Sequence, residues 1–174
     1  MENDKISESP LNDIESNIIV ARILLSIVAL GLLISGLTCY FLEWEVKALT
    51  DVVWGGSADR IPFMDEEYKL LLRVDEGLKV IKREYPEFML GTDWLGFAHV
   101  ILAILFLGAI RDPVRNILII QFGIISAILV IPAAWLFGYL RGLPTIHYFI
   151  DASFGIGALI PLYISYRIIK RCDY

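Results

Sequence analysis

Three residues of this chain have types and spacing suited to chemistry: His99, His147 and Asp151. His147 and Asp151 stand at i and i+4, one above the other on a helical face, and His99 is the other of the two histidines in the sequence. Two imidazoles and a carboxylate can supply three ligands to a zinc-like ion. A fourth position would then be open for water, the arrangement that generates a nucleophile near neutral pH. The two imidazoles alone could serve as axial ligands of a b-type haem. A third use is a proton or solute path, because an ionisable side chain at membrane depth marks such routes. A fourth is structural, with Asp151 pairing with Arg141 or accepting a hydrogen bond from His99 and so fixing helix register. Asp93 and Arg141 stand near the same helix ends and extend the set to a polar cluster. No HExxH, CxxC, phosphate loop or nucleophile elbow accompanies them, so no catalytic residue is assigned.

The depth of these residues depends on four hydrophobic stretches, at residues 18–40, 94–110, 117–140 and 146–168. At about 1.5 Å rise per residue each is long enough, or nearly so, for a hydrocarbon core of roughly 30 Å. The first is read as a retained helix. Its apolar run exceeds the roughly 7–15 residues of a signal-peptide core, and the leader before it is acidic as well as basic. The hydrophobic fraction of 57% and mean hydropathy of +0.65 stand well above the roughly 45–50% apolar usage of soluble domains. The expected fold is an all-α membrane protein in one domain. Four transmembrane helices form an antiparallel bundle, with an extracytoplasmic helical cap between the first and second.

Lys and Arg in short loops set orientation, whereas acidic residues contribute little. Lys5, Arg22, Arg111, Arg115, Arg167, Lys170 and Arg171 fall at one end of the four crossings. That end is expected to be cytoplasmic, with an N-terminal tail at residues 1–17 and a C-terminal tail at residues 169–174. Residues 41–93 and the Arg141 loop then lie outside, and both histidines occupy the outer half. The net charge of −5 arises in the 41–93 loop, which leaves nucleic acid without an electrostatic footprint. Cys39 and Cys172 are expected on opposite faces, too far apart for a disulfide.

Within that loop, apolar residues recur with helical period over residues 64–85. Asp65, Glu66 and Glu67 in the first turn and Lys82 and Arg83 in the last suit the helix macrodipole, and Pro86 ends the run. The Trp54–Ser57 stretch reads as a turn. Short turns at residues 111–115 and 141–144 are expected to fold the second and third helices, and the third and fourth, into hairpins. Small residues at Gly31, Ser35, Gly96, Gly123, Gly155 and Gly157 mark close helix approaches, while Arg22 is expected to snorkel to the headgroups.

The phrases Gly91-Thr92-Asp93-Trp94-Leu95-Gly96-Phe97-Ala98-His99, Arg111-Asp112-Pro113-Val114-Arg115-Asn116 and Asp151-Ala152-Ser153-Phe154-Gly155 resemble those of uncharacterised small bacterial four-helix integral membrane proteins. The resemblance covers the three C-terminal helices. It implies a bacterial inner membrane and assigns no activity. The expected function is that of a non-catalytic inner-membrane protein, an accessory, sensory or interaction subunit without a cofactor. Its partners would be the lipid bilayer and a protein or a second copy of itself. The alternatives are a zinc- or haem-binding protein with its site at the outer end of the second and fourth helices, and a small transporter-like oligomer.

Overall fold

A computed structural model describes residues 10–55 and 61–172. The N-terminal tail through residue 9, with Lys5, and the second half of the expected turn at Gly56 and Ser57 lie outside the described residues. Six α-helices and two short 3-10 turns make up the described chain, with no strand among the described residues. The α-helices are α1 Pro10–Tyr40, α2 Leu42–Val53, α3 Asp65–Glu84, α4 Leu90–Arg111, α5 Ile117–Arg141 and α6 Thr145–Cys172. Four of them, α1, α4, α5 and α6, are long and apolar enough to cross a membrane. Only 22–28% of each apolar window is buried by the protein itself. Side chains such as Ile27, Leu107, Leu118 and Leu129 face outward, an apolar exposure that a water-soluble monomer would not sustain and that lipid satisfies.

The helix boundaries follow from local chemistry. Only Phe41 separates α1 from α2, and α2 begins with Glu43 and Glu45 in its first turn, where acidic groups oppose the macrodipole. Gly55, at φ 60°, follows its end. Pro62 opens the 3-10 turn ahead of α3, and Pro86 opens the one that leads into α4. The helix expected over residues 64–85 is α3, one residue shorter at each end. Gly142 closes α5 in the left-handed conformation at φ 62°. There its N–H bonds to the Tyr139 carbonyl and the Leu143 N–H to that of Gly138, the paired capping of a Schellman motif.

On the exposed face of α3, Lys69 pairs with Asp65 and Glu66, and Lys79 with Asp75. The hydrogen bond and charge of Glu66, then of Asp65, hold the Lys69 ammonium above its ordinary range, and those of Asp75 do the same for Lys79. A raised lysine value means that the contribution is fully present below the ordinary 10.5 and is lost as pH rises through the raised folded value. The helicity of α3 is therefore expected to be flat from pH 6 to 9 and to decline only under strongly alkaline conditions, which a circular-dichroism titration of the full protein in micelles would check. Both lysines are solvent-exposed, so the change is expected to be small.

The four long helices pair only in part as their short turns suggest: α5 and α6 form the expected hairpin, whereas α4 and α5 do not. Contacts are densest between α1 and α4 and between α5 and α6, α1 also lies along α6, and α4 and α5 barely touch despite their five-residue connection. The spatial order is α4, α1, α6, α5. Small residues explain it, since membrane helices associate where their backbones can approach. Gly36 of α1 meets Gly96 of α4, and Gly155 of α6 meets the Ala127 carbonyl of α5. Gly31 and Gly157, expected at packing seams, face open space. A shared core of Ala21, Leu25, Val28, Ala29, Phe106, Ala109, Ile120, Ala127, Leu162 and Ile169 joins all four helices at the end that carries the 112–116 turn. Toward the other end, the buried positions Gly36 and Gly96 belong to one pair, and Ala134, Gly138, Ala152 and Gly155 to the other.

The 112–116 turn is internally bonded. Asn116 Nδ2 donates to the carbonyls of Gly108 and Asp112 at 3.1 and 2.9 Å, and Asp112 Oδ1 accepts the Arg115 N–H. Pro113 is fully buried. Beside it, Arg22 does not simply reach for headgroups: its Nη2 donates to the Arg111 carbonyl at 2.8 Å. A cation thus caps the orphan carbonyls at the C-terminus of α4. Arg22→Met is expected to lower the unfolding free energy in micelles by about 1.5 kcal/mol, the low end for a charge-assisted hydrogen bond because the site is exposed. Arg22→Lys is expected to recover part of that loss.

Candidate functional site

α2 and α3 pack on each other. Val46 and Thr50 of α2 and Leu70 and Leu78 of α3 are buried, the Trp54 and Tyr68 rings lie 6.1 Å apart, and Lys82 pairs with Glu43 at 2.9 Å. The buried stripe of α3 also includes a carboxylate. Glu67 stands three residues before Leu70 and eleven before Leu78, on the face that packs inward, and its side chain is only 4% exposed.

That carboxylate meets α6. Glu67 Oε1 lies 2.6 Å from His147 Nδ1; with the carboxylate ionised it can only accept, and Nδ1 then carries the proton and donates. The other ring nitrogen, Nε2, lies 3.6 Å from Asp151 Oδ2. That distance is beyond a good hydrogen bond but within reach of a charge interaction or a bridging water. The three side chains form a line rather than a cage. Exposure rises along it, from 4% at Glu67 through 26% at His147 to 42% at Asp151. Glu67 Oε2 is buried with no hydrogen-bond partner among the described residues, as is Trp54 Nε1.

The residues singled out from sequence are therefore brought together only in part. His147 and Asp151 are neighbours, as their spacing requires. His99 does not join them, because it sits on α4 in the seam with α1, beside Gly36, and bonds through Nδ1 to its own helix at Leu95 O, 2.8 Å away. No group of three or more His, Cys, Asp or Glu side chains is arranged to hold a metal ion among the described residues. Asp93, in the first turn of α4, and Arg141, in the last turn of α5, are both exposed, and neither enters the His147 cluster. The expected pairing of Asp151 with Arg141 or His99 is replaced by its contact with His147. The residue that sequence reasoning missed is Glu67, which passed for one of three first-turn acids. Its distinguishing signal is its register with Leu70 and Leu78, where an apolar side chain belongs.

This arrangement can do two things chemically. It anchors α3, which is not among the candidate membrane spans, to the membrane-length α6 through a buried hydrogen bond. It also places an imidazole between two carboxylates, a geometry in which a proton can be taken up or passed along. No protein-family model, curated protein or solved structure matches this chain.

Proposed function

We propose that this protein is a non-catalytic accessory or sensory subunit of a bacterial inner membrane. In this reading α1, α4, α5 and α6 form an antiparallel bundle, and the α2–α3 pair is an extracytoplasmic cap whose position is communicated to α6. Arg22, Arg111, Arg115, Arg167, Lys170 and Arg171 gather at one end, which the positive-inside rule assigns to the cytoplasm together with both termini. The observation that carries the reading is the Glu67–His147 hydrogen bond. It commits the one buried carboxylate among the described residues of the cap to a helix that runs the full length of the bundle. A protein partner or second copy that engages the cap would shift that bond and, through it, α6. The test is cross-linking in intact cells followed by purification in mild detergent. Wild type should recover a reproducible partner or itself, and Glu67→Ala should lose that recovery while remaining in the membrane. Wild type recovered alone contradicts the reading.

The graded exposure of Glu67, His147 and Asp151 favours a second reading, a transporter-like oligomer that moves protons. Proteoliposomes with an internal pH dye would then show a flux that Asp151→Asn abolishes.

A further inference from the structure

The apolar surface of α2 extends beyond the stripe that α3 covers, with Leu49 and Val53 partly exposed along one side of it. Val46, Thr50 and Trp54, at successive i+4 steps, are buried against α3. Trp44, Ala48 and Val52 repeat the same step two residues out of phase, on the far side of the helix at ~100° per residue, and exposed Phe41 immediately precedes the helix. Trp44 is 71% and Val52 73% exposed. Glu43, Lys47 and Asp51 form a charged flank between the two stripes, and half-buried Glu45 borders the outer one. The roll of the helix is not free, because the packing of Val46 and Thr50 and the Lys82–Glu43 pair lock it.

We infer that the Trp44–Ala48–Val52 face binds the lipid interface, so that α2 lies in the headgroup plane as a surface helix. The inference rests on the membrane-spanning reading of α1. The candidate span ends at Tyr40 and α2 starts at Leu42, so the stripe emerges at the boundary of the bilayer, shortly after the exposed Ile34 and Leu37 of α1 in the chain. An exposed tryptophan within an apolar stripe, on a helix with a charged flank, suits the zone between acyl chains and water. α2 has more acidic than basic residues, so the attraction is apolar and does not need anionic lipid. α3 is then held above the bilayer by α2 and by His147, and its own charged face is left to water.

The test uses the full chain with Cys39 and Cys172 replaced by serine, in phosphatidylcholine nanodiscs. Single nitroxide labels are placed at Trp44→Cys, Lys47→Cys, Asp51→Cys, Val52→Cys and Ile27→Cys. All five positions are exposed, so the labels do not disturb buried packing. The expected result is a high ratio of oxygen to nickel-complex accessibility at 44 and 52, matching the value at 27, and a low ratio at 47 and 51. Labels at 44 and 52 as wet as those at 47 and 51, with 27 still in lipid, overturn the inference while leaving the spanning reading intact. Labels at 44 and 52 shielded from both reagents and broadened by a second spin overturn it in favour of a second copy as the occupant. A water-exposed label at 27 overturns the spanning reading and the inference with it.

Discussion

Gly96→Ala is expected to destabilise the protein by about 3 kcal/mol, the upper end of the usual range for overpacking. A Cβ at position 96 would stand 2.7 Å from the carbonyl oxygen of Gly36, and a Cβ at position 36 would stand 2.8 Å from that of Gly96. Both obstacles are backbone atoms, which cannot rotate aside as a side chain can, so either substitution pushes α1 and α4 apart along their seam. Gly36→Ala should therefore cost a similar amount. The double variant should cost less than the sum, because the second methyl enters a seam already opened. Gly31→Ala is the matched control on the same helix. Nothing lies within 4 Å of its Cβ position, and alanine is favoured over glycine by up to about 1 kcal/mol in a helix, so it should be neutral or slightly stabilising. Reversible unfolding in mixed micelles titrated with a denaturing detergent measures all four. Equal effects at 31, 36 and 96 would mean that α1 and α4 do not touch there.

His147→Ala is expected to cost about 3 kcal/mol, whereas Glu67→Gln should cost about 1 kcal/mol. The asymmetry follows from who is left behind. Removing the imidazole leaves a 4%-exposed carboxylate with no partner on either oxygen, and an uncompensated buried charge is worth roughly 3–5 kcal/mol. The lower end applies because the His147 site is itself partly open. Changing the carboxylate to an amide keeps an acceptor for His147 Nδ1 and removes the buried charge, so only the charge-assisted part of the hydrogen bond is lost. The double variant Glu67→Gln/His147→Ala should accordingly be more stable than His147→Ala alone. Asp151, on the more exposed end of the line, should contribute less than about 1 kcal/mol when changed to asparagine. The same micelle assay reads each. A double variant less stable than His147→Ala would show that Glu67 is not the charge being compensated.

Much of the fold is legible in the sequence because it rests on local signals. Length and hydropathy mark the four apolar helices, helical periodicity with graded charge marks α3, and Pro86 and Gly142 mark boundaries. α2 is not legible as a separate helix, because it runs for only 12 residues and only Phe41 divides it from α1. The α5–α6 hairpin follows from its short turn, but the separation of α4 from α5 and the packing of α1 along both α4 and α6 are hidden for a different reason. Short turns argue for chain neighbours, but backbone contact is decided by where the paired small residues face, and Gly36 gives no sign in sequence that it will meet Gly96. The site divides the same way. The His147–Asp151 spacing is a property of one helix and can be read directly. The approach of Glu67 to His147, eighty positions away, depends on how the α2–α3 pair settles on α6, and the common depth expected for His99 and His147 does not bring them onto facing surfaces.

The central claim is that the buried Glu67–His147 bond holds the α2–α3 pair onto α6. The most direct test is a double electron–electron resonance distance in nanodiscs between nitroxides at Arg73→Cys on α3 and Arg171→Cys at the far end of α6, again with Cys39 and Cys172 replaced by serine. With His147 present one narrow distance distribution is expected, and with His147→Ala a broad one shifted in its mean, as α3 loses its fixed seat. Superimposable distributions with and without His147 would contradict it, because the bond would then be a bystander to packing that holds α3 in place without it.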